Sequence, residues 1–171
     1  MRLLLIRHGH SDHAPFADRG LTTRGRRQVR ELAEQLRRSE AFASCSQLLS
    51  SPLPRAMRSA ELLLPMVAAN AIAVDPALRE MNDGLERQST APESFELFSE
   101  RVEQTLLRLA AQHAGQTLIA VTHAGFIVAS MLQLLGVSTT AKRARLDPAN
   151  ASVTEWSARD GRWELLRYNC C

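Results

Sequence analysis

Residues 117–137 read TLIAVTHAGFIVASMLQLLGV, and the way this run divides decides the fold. Taken whole, it has the length and apolar character of a membrane span. Thr122, His123, Gly125, Ser130 and Gln133 interrupt it, however, and it splits naturally into a strand over Thr117–Thr122 and a helix over Gly125–Leu135. The run is therefore read as core, with His123 in the turn between a buried strand and a helix.

The same strand-to-helix unit recurs outward from this point. Arg2 to Arg7 is a short aliphatic segment that ends in Arg7-His8-Gly9, the pattern of a strand buried on both faces. Thr22 or Thr23 caps a helix predicted to run to about Arg38, with Val29, Leu32, Ala33 and Leu36 on one stripe. Gln47–Ser50 reads as a second strand, and Pro52 and Pro54 open a helix to about Val67. Ala71–Val74 reads as a third strand. Ser94–His113 reads as a helix, and Val153–Trp156 with Trp163–Tyr168 as a hairpin about Asp160-Gly161. Alternation of this kind predicts an α/β three-layer sandwich, with a mostly parallel central sheet and helices on both faces, as one domain over residues 1–171.

Composition narrows the function classes. Hydrophobic residues make up 45% and charged residues 23%, which are globular values and exclude a disordered chain. Twenty-one basic and eighteen acidic residues leave a net charge of only +3, with the few aromatic residues scattered, so no nucleic-acid partner is expected. All the basic residues but Lys142 are arginine, the better bidentate ligand for phosphate. Three cysteines make no disulfide framework, and the apolar run at Leu3–Ile6 is too short for a signal peptide. A cytoplasmic protein with no membrane partner is expected.

Chemistry concentrates at the predicted strand exits. His8 follows the first strand, Arg55 the second, Glu80 the third and His123 the last, and in a parallel sheet all four leave the same edge. Two arginines (Arg7 and Arg55), two histidines and one glutamate suit phosphate handling, because guanidinium forks match tetrahedral oxyanions. A neutral imidazole is able to attack phosphorus, and a carboxylic acid to protonate a departing alkoxide. From spacing alone, Arg55 reads equally well as a solvated helix-start charge, and for Glu80 a surface carboxylate paired with Arg79 or Arg87 is the better reading.

Leu4-Leu5-Ile6-Arg7-His8-Gly9, Leu21 to Gln28, Ser51-Pro52-Leu53-Pro54-Arg55-Ala56, Leu78-Arg79-Glu80 and Val121-Thr122-His123-Ala124-Gly125 together resemble the histidine phosphatase (phosphoglycerate mutase-like) superfamily, in its order. The resemblance implies that His8 is the nucleophile and forms a phosphohistidine, that Arg7, Arg55 and His123 hold the phosphoryl group, and that Glu80 is the proton donor. Water then attacks the phosphohistidine. The backbone N–H of Ala124, at a helix start, is a further candidate donor to phosphate. No metal and no cofactor are implied, and the partner is a small-molecule phosphate ester.

Departures from the family pattern are His10, where Glu or Gln is usual, and Ala14, where many members carry Asn. The loop after Glu80 matches only at Gly84. Glu93-Ser94-Phe95 to Arg101-Val102 is similar to the α-ribazole phosphatase branch. The short spacing from Glu80 to His123 favours an open, hydrolytic site over a mutase and is also similar to small phosphohistidine phosphatases. Two further readings compete. His8, His10, Asp12 and His13 match the H-x-H-x-D-H run of zinc hydrolases, and Ala14 with the altered loop suits a non-catalytic phosphate-binding module. Specificity is expected in Ser11–Arg19 and Asp83–Glu93, while the oligomeric state is not legible.

Overall fold

The computed structural model describes residues 1–14, 17–18, 20–82, 92–137 and 146–171, with backbone only at 13, 14, 17 and 18. The elements are β1 (Arg2–Arg7), β2 (His13–Ala14), β3 (Ala17–Asp18), α1 (Thr23–Leu36), α2 (Glu40–Ala43), β4 (Cys45–Ser50) and α3 (Pro54–Leu63). They continue with β5 (Ile72–Val74), α4 (Phe95–Gln112), β6 (Thr117–Thr122), α5 (Ala124–Leu135), β7 (Val153–Arg159) and β8 (Arg162–Cys170). Single 3-10 turns lie at Leu64–Met66 and Pro76–Leu78.

One six-stranded sheet has the order β5-β4-β6-β1-β7-β8. β1, β4, β5 and β6 are mutually parallel, and the hairpin β7–β8 adds antiparallel beside β1. Two-residue periodicity explains the layering. Leu4, Ile6, Ile119 and Val121 face a cluster with Val29, Leu32, Phe42, Ala60 and Leu63 from α1, α2 and α3. Leu3, Leu5, Leu118 and Ala120 face the opposite cluster, with Phe98, Val102 and Leu106 of α4 and Phe126 and Ile127 of α5. The interiors of β1 and β6, Leu3–Ile6 and Leu118–Val121, are apolar at every position because both faces are covered. The expected sandwich, with helices on both faces of a mainly parallel sheet, is thus present.

Local signals set the element ends. Thr22 caps α1 by accepting the Gly25 N–H at 3.1 Å, and Ser94 caps α4 by accepting from Leu97 at 3.3 Å. Asp160 and Gly161 have φ of 50° and 74°, the left-handed pair of a two-residue hairpin turn. Differences from expectation are local. α3 stops at Leu63 instead of running to Val67, because Pro65 cannot donate to a helical ladder and the chain tightens into a 3-10 turn. α1 stops at Leu36, two residues before Arg38. α2, with Ser39 as its cap, and the β2–β3 ribbon were not expected; both are too short for a periodic signal. Among the described residues no helix is long and apolar enough to cross a membrane.

Candidate active site

The carboxyl ends of β1, β4 and β6 are tied to one another by backbone hydrogen bonds. The His8 N–H donates to the Thr122 carbonyl (3.0 Å), so the exits of β1 and β6 stay in register one residue beyond the strand. The Ser51 N–H donates to Val121 (3.0 Å), bringing in the exit of β4. From the other side, Ala151 donates to the Arg7 carbonyl (3.0 Å) and Asn150 Nδ2 to the His8 carbonyl (3.2 Å). Ser59 on α3 links the Gly9 N–H (3.1 Å) to the Arg55 carbonyl (2.8 Å) through one hydroxyl. A Cβ on Gly25 would lie 2.1 Å from the His10 carbonyl oxygen, so α1 approaches the His8 turn as closely as only glycine permits.

Two imidazoles stand edge to face at the centre, with the His8 and His123 ring centroids 5.1 Å apart and their planes at 60°. Both are buried. His8 Nδ1 lies 2.7 Å from the Gly9 carbonyl oxygen. A carbonyl only accepts, so Nδ1 carries a proton, and in the neutral ring the lone pair is on Nε2. His123 Nε2 lies 2.8 Å from Ser51 Oγ, and its Nδ1 is buried without a hydrogen-bond partner among the described residues. Burial pushes the His123 imidazole well below the ordinary histidine value, and the charges of His8, Arg55, Arg7 and Arg101 push the same way. The ring is therefore neutral.

Arg55 opens α3 and is only 4% exposed, which makes it a buried cation and not the solvated charge its spacing equally allowed. Arg7 ends β1 and points its Nη1 at the Pro148 carbonyl, with Asp147 Oδ1 at 3.5 Å. Both arginines lie close enough to His123 to act on its charge.

Glu80 follows the 3-10 turn Pro76–Leu78, which Thr122 Oγ1 anchors by donating to the Leu78 carbonyl at 2.8 Å. Its carboxylate lies over the start of α5. Oε2 accepts the Gly125 N–H at 3.1 Å and Oε1 its neighbour Met81 N–H at 3.0 Å. A Cβ at Gly125 would stand 2.1 Å from Glu80 Oε1, so the glycine is a condition of the carboxylate's position. Ala124 begins α5, where helix geometry leaves its N–H without an intrahelical acceptor.

The residues expected at the site, Arg7, His8, Arg55, Glu80, His123 and Ala124, thus lie on the exits of the parallel strands. Sequence reading gave no role to Ser51 and Gly125, although both stand inside the quoted motifs, and passed over Ser59 and Asn150; all four hold those residues in place. The H-x-H-x-D-H reading gains no support: His8 turns Nδ1 to Gly9, His10 turns Nδ1 to Thr22 Oγ1 (3.0 Å), and no three His, Cys, Asp or Glu groups converge among the described residues. The side chains of His13 and Ala14, much of Ser11–Arg19, and residues 83–91 with Gly84 and Arg87 lie outside the described residues, as does Lys142.

This frame, two facing histidines with a buried Arg55 and a partly buried Arg7 at the parallel edge of an α/β sandwich, is that of a phosphate-handling class. The chain belongs to the histidine phosphatase superfamily (branch 1), whose family model matches residues 3–91 and 83–171. It is 29% identical to the adenosylcobalamin/alpha-ribazole phosphatase of Escherichia coli, with 82% of each chain covered. A mycobacterial glucosyl-3-phosphoglycerate phosphatase solved with VO3 is 25% identical, with a TM-score of 0.78 over 99% of both chains. YhfR of Bacillus stearothermophilus shares the fold at a TM-score of 0.86, covering 99% of this chain and 97% of its own, with 19% identity. The relatives by sequence are phosphatases, and so is the enzyme class of this chain.

Proposed function

We propose that this protein is a metal-independent phosphomonoesterase that acts through a phosphohistidine on a small phosphorylated metabolite. The observation that carries the reading is the bond from His8 Nδ1 to the Gly9 carbonyl, because it leaves the Nε2 lone pair of a buried ring as the one nucleophilic nitrogen. In the first step Nε2 attacks phosphorus in line, the P–N bond forms, and the P–O bond to the leaving alcohol breaks. Glu80 gives its proton to the departing oxygen. In the second step water attacks the phosphohistidine, the P–N bond breaks, and the ionised Glu80 takes the proton from water. The sum is one ester and one water giving one alcohol and one phosphate.

The cations Arg7 and Arg55 balance charge on the equatorial oxygens of the migrating group. Neutral His123 contributes a hydrogen bond, not a charge, and its buried Nδ1 finds in a phosphoryl oxygen the partner it otherwise lacks. The Ala124 N–H adds a donor at the start of α5. The likeness to the Escherichia coli enzyme supports α-ribazole phosphate as the substrate. Three free cysteines suit a reducing compartment, the cytoplasm, with all 171 residues acting as one unit.

The test is hydrolysis of 4-nitrophenyl phosphate and of α-ribazole phosphate by the wild type and by His8→Ala. We expect the variant to lose at least about a thousandfold in kcat/KM. Radiolabelled phosphate from substrate should be trapped on the wild type as an alkali-stable, acid-labile adduct, and on the variant not at all. Undiminished turnover by His8→Ala refutes the mechanism. Activity that chelation abolishes and zinc restores would return the metal hydrolase reading, and folded protein that binds phosphate without turnover would return the binding module.

A further inference from the structure

Arg101 lies on α4, outside every motif that carries the chemistry, yet its guanidinium is spent entirely on the segment that delivers Glu80 and on Glu93. Nη1 donates to the carbonyls of Ala77 (2.7 Å) and Arg79 (3.1 Å), and Nη2 to that of Glu80 (3.5 Å). Nε and Nη2 form a fork on Glu93, at 2.9 Å to Oε1 and 2.7 Å to Oε2. A guanidinium has five N–H donors, and five acceptors are present, so nothing is left over for a ligand.

The Leu78 carbonyl goes to Thr122 Oγ1 (2.8 Å), so every carbonyl from Ala77 to Glu80 is taken by a side chain of α4 or β6. Arg79 and Glu80 have left the 3-10 turn and belong to no strand or helix. Side-chain donors replace the ladder that would otherwise define their backbone. Glu93 joins the same knot, because its N–H donates to the Asn82 carbonyl at 2.8 Å and brings the chain back beside the segment it left. The face of Phe98 lies 4.9 Å from the Arg101 guanidinium carbon and limits its other freedom.

We infer that Arg101, locked by Glu93, is a positioning residue that sets the proton-donating carboxylate of Glu80 against the leaving oxygen. The inference rests on the reading of Glu80 as the acid. Lysine cannot reproduce the effect, since one ammonium with three donors cannot reach five acceptors spread over two segments. Glu93 serves as the planar partner that keeps the fork turned toward the carbonyls and offsets its charge close to His123.

The experiment compares Arg101→Lys, Glu93→Gln and Glu80→Gln with wild type on phenyl phosphates whose leaving phenols range from acidic (4-nitro) to basic (unsubstituted). kcat/KM is the reported quantity because it contains the leaving-group step. A lost or misplaced acid penalises a basic leaving group and spares an acidic one. We expect Glu80→Gln to lose about a hundredfold or more on phenyl phosphate and less than about tenfold on 4-nitrophenyl phosphate. Arg101→Lys should show the same tilt at about a third to a tenth of the size, with Glu93→Gln tilted in the same direction and vanadate inhibition within about threefold of wild type for both. Equal losses on all substrates in Arg101→Lys and Glu93→Gln, while Glu80→Gln tilts, overturn the positioning role and leave the acid in place. A flat Glu80→Gln overturns the acid itself. Should Arg101→Lys fail to fold, Glu93→Gln, which keeps the guanidinium, decides alone.

Discussion

His123 shows how burial changes what a residue is for. A solvent-exposed histidine near pH 6.5 is a switch, but burial and the neighbouring positive charges hold this ring well below the ordinary histidine value, so it stays neutral where an exposed one takes up a proton. Its shift has a thermodynamic consequence. The native ring stays unprotonated where the unfolded chain, with its ordinary value near ~6.5, binds a proton. Above that value the group does not affect stability; as pH falls below it, the unfolded state gains and the native state does not. Acidification from pH 7.5 to 5.5 should therefore lower the unfolding free energy with a contribution from this ring approaching ~1.4 kcal/mol per pH unit at the acid end. His123→Gln should remove that part of the slope. Urea titrations across the range check it, and an unchanged slope in the variant contradicts the assignment.

At the scale of elements, the helix α5 illustrates a conflict settled in favour of the site. Glycine in the first turn of a helix is worse than alanine by up to ~1 kcal/mol, yet Gly125 is required because Glu80 occupies the space a Cβ would take. Gly125→Ala should leave stability within about 1 kcal/mol of wild type while kcat/KM on phenyl phosphate falls about a hundredfold, the scale of a displaced acid. Gly136→Ala, at the other end of the same helix with φ of 63° and open space around it, should do the reverse. It should cost about 1 kcal/mol for the left-handed backbone and leave turnover unchanged. Thermal unfolding and steady-state rates on the pair test both halves.

For the whole molecule, the seam between parallel and antiparallel halves carries a buried charge. Glu155 in β7 is fully buried, paired with Arg2 of β1 through Nε and with Arg167 of β8 at 2.8 Å. The Arg167 contact is an ion pair without hydrogen-bond alignment, since Oε2 has no hydrogen-bond partner by geometry. Arg2→Met should destabilise by about 1–3 kcal/mol, below the usual cost of breaking a buried pair because Arg2 is 28% exposed and Arg167 stays. The double variant Arg2→Met with Glu155→Leu should recover most of this, because no charge is then left buried. Chemical denaturation of both variants decides, and a double variant weaker than the single one refutes the account.

Much of this was legible in the sequence because it is written locally. The aliphatic runs ending in His8 and His123, the caps at Thr22 and Ser94, and the Asp160-Gly161 turn each act through neighbours within a few residues, so the α/β alternation and the strand-end residues follow from pattern alone. Tertiary structure alone decided what surrounds them. Ser51 meets His123 across 72 residues, and Asn150 meets His8 across 142. The knot of Arg101, Glu93 and the Glu80 segment, and the Cβ-sized space that Glu80 takes from Gly125, are likewise long-range. Such contacts depend on sheet order and on the angle at which helices cross it, and no periodicity along the chain encodes either.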